Sequence, residues 1–181
     1  EAVVAVRSSG TAEDAADVSF AGMFQSTLNV HGEGALLAAI RECWASAFSE
    51  RILFYRAKQG IAAEVLVAAV VQRMVNADRS GVVFTADPAA SDPSRIVIEG
   101  AWGLGEVVVL GQVAPDRWVV DKATLAIVDR AAGHKPFLLT RDARSGETVR
   151  VPLDAARAAA PVLSDREVVA VAELARRDEA H

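Results

Sequence analysis

Apolar and polar positions repeat with two different periods along this chain. Residues 3–6 form a short β-branched run, which predicts a buried strand ending at Arg7. Residues 27–30 predict another strand. Gly32 and Gly34 break the pattern, and Leu36, Leu37, Ile40, Trp44 and Phe48 then recur at three- and four-residue spacing. That spacing is one apolar face of a helix, with Trp44 and Phe48 packed in the core. The pattern resumes through Ile52, Leu53 and Tyr55, so one helix is expected over 34–58, closed by Gln59-Gly60.

Beyond it the period shortens to two. Residues 65–75 are apolar enough for a central strand, 76–81 read as a turn, and 82–85 and 95–99 read as the next strands. Three such runs joined by short turns predict a mainly antiparallel sheet. Gly103-Leu104-Gly105 is a tight turn, with a short helix or strand over 107–110. Residues 116–121, 125–129, 137–140 and 148–151 alternate as half-exposed hairpins do, with Ser145-Gly146 as a turn. A weak helix over 154–160 stops at Pro161. Ser164 and Glu167 form a capping box for a last helix, with Val168, Val171, Leu174 and Ala175 inward. The fold class is therefore α/β of the α+β type, a mainly antiparallel sheet with packed helices.

Composition narrows the picture. A chain of 181 residues makes one domain or two small lobes, and 52% hydrophobic with 24% charged residues is enough to bury a core. The net charge of −5 gives no basic field for nucleic acid. The single cysteine, Cys43, excludes an internal disulfide and a Cys-based zinc site, and reads as a buried thiol. No run of about 18 apolar residues spans a membrane, and no leader-like segment opens the chain. The chain starts inside a strand-like run and stops on a polar helix end, so a piece of a longer protein is expected. His31, His134 and His181 lie in no motif and read as surface histidines.

Arg7 is the first candidate for chemistry. A buried strand that releases an arginine into Ser8, Ser9, Gly10 and Thr11 sets a rigid fork of donors beside free backbone amides, an arrangement suited to phosphate. The plainer alternative is a strand-end arginine in a salt bridge. Gly22 would let backbone approach a ligand closely. The Gly103–Gly105 turn either aims Glu106 into a cleft or leaves Glu99 and Glu106 as surface acids. Arg41, Arg51 and Arg56 on the long helix are solvated or turned toward a phosphate.

The order Val6-Arg7-Ser8-Ser9, Thr11-Ala12-Glu13-Asp14, then Ser19-Phe20-Ala21-Gly22 resembles the ATP-binding domain of phosphoenolpyruvate synthase, pyruvate phosphate dikinase and rifampin phosphotransferase. Cys43-Trp44-Ala45-Ser46, residues 71–75, Ser80 through Pro88, Gly103 through Glu106, Gly111 and Pro115-Asp116 extend the likeness over essentially the whole chain. The resemblance implies an ATP-grasp-like fold, of which residues 1–181 are a partial nucleotide-binding domain. It implies a phosphotransferase that uses ATP and Mg²⁺ and passes a phosphoryl group to a histidine on a swivelling domain, then to an acceptor bound elsewhere. The acceptor is pyruvate by default, with a rifampin-type antibiotic hydroxyl as the alternative. By that likeness Arg7 contacts ATP phosphate, Gly22 and Ser26 belong to a loop over the phosphates, and Gln72, Met74 and Val75 form the adenine-side hinge. Glu106 is a carboxylate of the transfer site, with Arg51 as a second arginine there.

The departures are equally specific. The family's ATP-binding lysine precedes the strand of Arg7. Its acid pair with Gln-x-Arg follows the helix that here reaches His181. Neither falls within these residues, so no metal ligand is assigned and the piece alone is expected to be inactive. The likeness places the parent enzyme in the cytoplasm. A non-catalytic nucleotide-binding or structural module is the reading from another class.

Overall fold

The computed structural model describes residues 2–10, 14–15, 18–19, 26–59 and 66–180. It divides into two units, Glu1–Val75 with Ala143–Glu147, and Asn76–Asp142 with Thr148–His181. The chain crosses from one to the other at the end of the run read as a hinge.

The first unit holds β1 (Val4–Gly10), β2 (Asp14–Ala15), β3 (Val18–Ser19), β4 (Thr27–Val30), α1 (Glu33–Ser46), α2 (Glu50–Gln59) and β5 (Val67–Arg73). Strands β4, β1 and β5 lie antiparallel in that order, and β2 pairs with β3. Helix α1 covers one face of the three-stranded sheet. Val6 and Val30 pack there against Ala39 and Cys43, flanked by Val4, Leu36, Ile40, Val67 and Ala69.

Three expectations change in this unit. Strand β1 does not end at Arg7. Residues 7–10 stay in register with Val70, Ala69, Ala68 and Val67, so the serines extend a half-exposed strand instead of starting a turn. The long helix is two helices. Ala47, Phe48 and Ser49 donate to Trp44, Ala45 and Ser46 at 3.0–3.2 Å, a three-residue pattern that tightens and ends α1. Trp44 is 52% and Phe48 70% exposed, so they are not core. The buried stripe is Ala39, Cys43 and Ala47, small side chains that let the helix lie close to the sheet. The expected stop at Gly60 lies outside the described residues.

The second unit holds β6 (Arg79–Phe84), β7 (Arg95–Trp102), α3 (Glu106–Val109), β8 (Asp116–Asp121), β9 (Ile127–Ala131), β10 (Phe137–Arg141), β11 (Thr148–Pro152), α4 (Ala155–Ala159) and α5 (Asp165–Glu179). Strands β6 to β9 form an antiparallel meander, and β10 pairs with β11. The antiparallel expectation holds, but β5 pairs with β1 and not with β6. Helix α5 packs Val168 and Ala172 onto Ile96, Ile98, Trp118 and Val120, together with Val162. Leu174 faces solvent, on the flank of that four-residue stripe. The capping box is present: Ser164 N and Oγ both donate to Glu167 Oε2 at 2.8 Å, and Glu167 N donates back to Ser164 Oγ. Strand β6 starts three residues earlier than expected because Arg79 is tied down, donating to the Val162 carbonyl and pairing with Glu167, both at 2.9 Å.

A buried polar knot holds this unit's loops. Asp116 accepts from Gly133 N and Val162 N at 2.8 Å and from Lys135 Nζ at 2.5 Å, while Lys135 Nζ also donates to Gly133 O. No described helix is long and apolar enough to cross a membrane.

Candidate functional site

In the first unit the candidates gather on the sheet face that α1 leaves open. Arg7 stands opposite Val70, and Gln72 opposite Ala5. Opposed residues of an antiparallel pair share a face, as do residues two apart, so Arg7 and Gln72 are diagonal neighbours. Such diagonals put Cβ atoms about 7–8 Å apart, within the span of one small ligand. Arg7, Ser9, Val70 and Gln72 are all exposed there. Among the described residues Arg7 forms no ion pair. Strand β4 accompanies β1 only from Val4 to Val6. Past Val6, among the described residues, the ladder continues on the β5 side.

The other candidates of this unit are more dispersed. Met74 N donates to Val3 O at 2.9 Å, so the hinge amide at Met74 is spent inside the protein. Val75 is 71% exposed at the unit boundary. Ser26 is exposed just before β4. Arg51 is exposed on α2, and no described ion pair joins it to another group. Gly22 lies outside the described residues.

The second unit builds the turn that carries Glu106. Gly103 adopts φ +81, and a Cβ there would stand 2.2 Å from the Leu139 carbonyl oxygen. Only glycine satisfies both conditions. Gly103 N donates to Asp78 O and Leu104 N to Leu139 O, each at 2.8 Å. The turn leads directly into α3, whose Val107 is fully buried with Ala101, Val113 and Phe137. Glu106, one residue earlier, is half-buried on a fixed backbone.

The sequence reading missed Ser80. Its Oγ donates to Gly103 O at 2.6 Å and closes the turn from the β6 side. A strand serine carries no sequence signal for such a role, because its partner lies 23 residues away. The largest acid shift lies elsewhere. Hydrogen bonds from Ser164 N and Oγ, then Arg79, draw Glu167 down from about 4.5 to about 2. That shift belongs to a helix cap. No group of three or more His, Cys, Asp or Glu able to hold a metal occurs among the described residues.

Comparison with known proteins gives a consistent set of matches. The family described as pyruvate phosphate dikinase, AMP/ATP-binding domain, matches residues 1–181. A probable phosphoenolpyruvate synthase of Staphylothermus marinus is 43% identical over 198 residues, covering 98% of this chain and 24% of that protein. The phosphoenolpyruvate synthase of Pyrococcus furiosus is 41% identical over 189 residues, covering 100% of this chain and 23% of its own length. The prodigiosin synthesizing transferase PigC of Serratia marcescens is 41% identical over 176 residues, covering 97% of this chain and 20% of its own. The chain thus spans about a quarter of the length of the curated relatives it matches.

Proposed function

The chain belongs to the family of pyruvate phosphate dikinase AMP/ATP-binding domains, and from that premise we propose that it is the ATP-binding part, ATP-grasp-like in fold, of a longer dikinase-type phosphotransferase. The observation that carries the reading is Arg7, unpaired among the described residues, on the open sheet face with Gln72. Arg7 grips a phosphate oxygen with its planar fork, and Gln72 meets the adenine side. Because the Met74 amide is already bonded, the hinge contact falls to Gln72 and Val75. Ser26 and Gly22 belong to the cover over the phosphates. Glu106 is a carboxylate of the phosphoryl-transfer site, where Mg²⁺ bound to the nucleotide would offset the charge of the phosphate oxygens. Arg51, exposed on α2, is proposed as a second arginine of that site.

Catalysis by such a site is positioning and electrostatics: fixed cations and amides meet charge spread over the transferring oxygens. The phosphoryl group then leaves on a histidine of a swivelling domain for an acceptor domain, both outside residues 1–181. These residues alone therefore do not complete turnover. Pyruvate is the proposed acceptor, as in the phosphoenolpyruvate synthases the chain is similar to. The acceptor is proposed to bind outside this segment, which is similarly identical to a transferase named for prodigiosin synthesis. ATP as substrate supports a cytoplasmic location. The test is ATP-dependent formation of AMP and of an acid-labile phosphohistidine by the full-length protein, with pyruvate and a rifamycin as alternative acceptors. A protein that binds ATP but forms neither product is a binding module, and the enzyme reading ends there.

A further inference from the structure

The turn bearing Glu106 is fastened from three directions. Leu139 O receives Leu104 N at 2.8 Å, Asp78 O receives Gly103 N at 2.8 Å, and Ser80 Oγ donates to Gly103 O at 2.6 Å. The first two bonds run between backbones. The third depends on a side chain and on a partly buried hydroxyl. Ser80 faces the turn because it is opposite Ala101, and Ala101 is packed beside Val107 of α3. Gly105 lies close by: a Cβ there would sit 3.7 Å from Ser80 Oγ. Strand β6 thus closes over the loop with one short hydrogen bond to Gly103, three residues before Glu106 opens α3.

We propose that Ser80 is a positioning residue for Glu106: its hydroxyl fixes the Gly103 carbonyl and so the direction of the first turn of α3. The proposal rests on the reading of Glu106 as a carboxylate of the phosphoryl-transfer site. Without the hydroxyl the Gly103 carbonyl is released, and the peptide planes between Gly103 and Glu106 gain freedom. The fold remains, because Val107 and the Leu104–Leu139 bond still anchor the segment. Small misplacements of a reacting geometry cost rate far more than they cost binding.

The experiment is a double-mutant cycle in the full-length protein, followed by ATP-dependent AMP formation. Ser80→Ala should lower kcat by roughly three- to thirtyfold with KM for ATP within about twofold. Ser80→Thr, which keeps the hydroxyl, should recover most of that loss. Amide exchange at residues 103–106 should quicken in Ser80→Ala alone. In a Glu106→Gln background the Ser80→Ala change should cost nothing further, because the group it positions is gone. Full turnover by Ser80→Ala, or a loss that multiplies undiminished onto Glu106→Gln, overturns the positioning role while leaving Glu106 in place. Normal turnover by Glu106→Gln overturns the reading of that carboxylate itself.

Discussion

Lys135 holds its ammonium 2.5 Å from Asp116 Oδ1, with the lysine side chain wholly buried and that of the aspartate 1% exposed. Both groups keep further partners: Gly133 O accepts from the lysine, and Gly133 N and Val162 N donate to the aspartate. A buried pair whose remaining polar capacity is met in this way is costly to break from one side. Lys135→Met should therefore destabilise the chain by about 3–5 kcal/mol, as should Asp116→Ala. Replacing both with apolar residues of matched volume should cost much less than the two single changes added together. Chemical denaturation of the four proteins decides this, and additive losses would show that the two residues act independently.

Gly103 and Gly105 flank the same leucine but should respond differently. A Cβ at Gly103 meets the Leu139 carbonyl at a left-handed φ, whereas one at Gly105 makes only ordinary contact near Ser80 at φ −63. Gly103→Ala should lose about 2 kcal/mol or more, from strain and the displaced strand. Gly105→Ala should stay within about 1 kcal/mol of the parent. Equal melting temperatures for the two variants would contradict this account of the turn.

Arg7→Ala should barely change stability, because the side chain is exposed and unpaired among the described residues. If Arg7 grips phosphate, the lost charge-assisted bond is worth about 1.5–3 kcal/mol, or roughly a ten- to hundredfold fall in turnover. Arg7→Lys should recover only part, since a point charge does not reproduce the fork. Melting temperature and AMP formation measured on the same full-length variant separate the roles. Lost stability with normal turnover would make Arg7 structural.

Glu167 sets a pH dependence with a definite sign. Its folded value near 2 lies below the ordinary value near 4.5, because Ser164 and Arg79 stabilise the carboxylate. A depressed acid contributes stability that is fully present above about pH 4.5 and is lost as pH falls toward 2. The helical signal of α5 should accordingly weaken over that window. Glu167→Gln should be less stable at neutral pH and should show a shallower acid limb. An unchanged acid limb in the glutamine variant would assign the transition to other carboxylates.

What the sequence disclosed was mostly local. The capping box at Ser164 is written in four consecutive residues, and it forms as expected. The hairpin turn at Gly146 and the strands Asp116–Asp121 and Phe137–Arg141 follow from period-two alternation. What stayed hidden depends on distant partners. Residues 7–10 read as a turn because serine and glycine disfavour strands, yet pairing with β5 overrides that preference. Trp44 and Phe48 share the helical spacing of a core face, but the sheet selects the neighbouring stripe of small side chains. At the candidate site, Arg7, Gln72 and Glu106 were readable as residue types in motifs. Ser80 was not, since its importance depends on a carbonyl that only the folded turn brings within reach.

Cys43 gives the first unit a clock of its own. The thiol is 2% exposed between α1 and the sheet, and burial pushes its pKa upward, so a thiol reagent meets neither access nor a ready thiolate in the closed state. Labelling must wait until the helix lifts, and its rate at saturating reagent counts those openings. The sequence holds no other cysteine, so openings of the second unit leave no covalent mark. Local breathing of the half that carries Arg7 can thus be timed by mass, without any introduced probe.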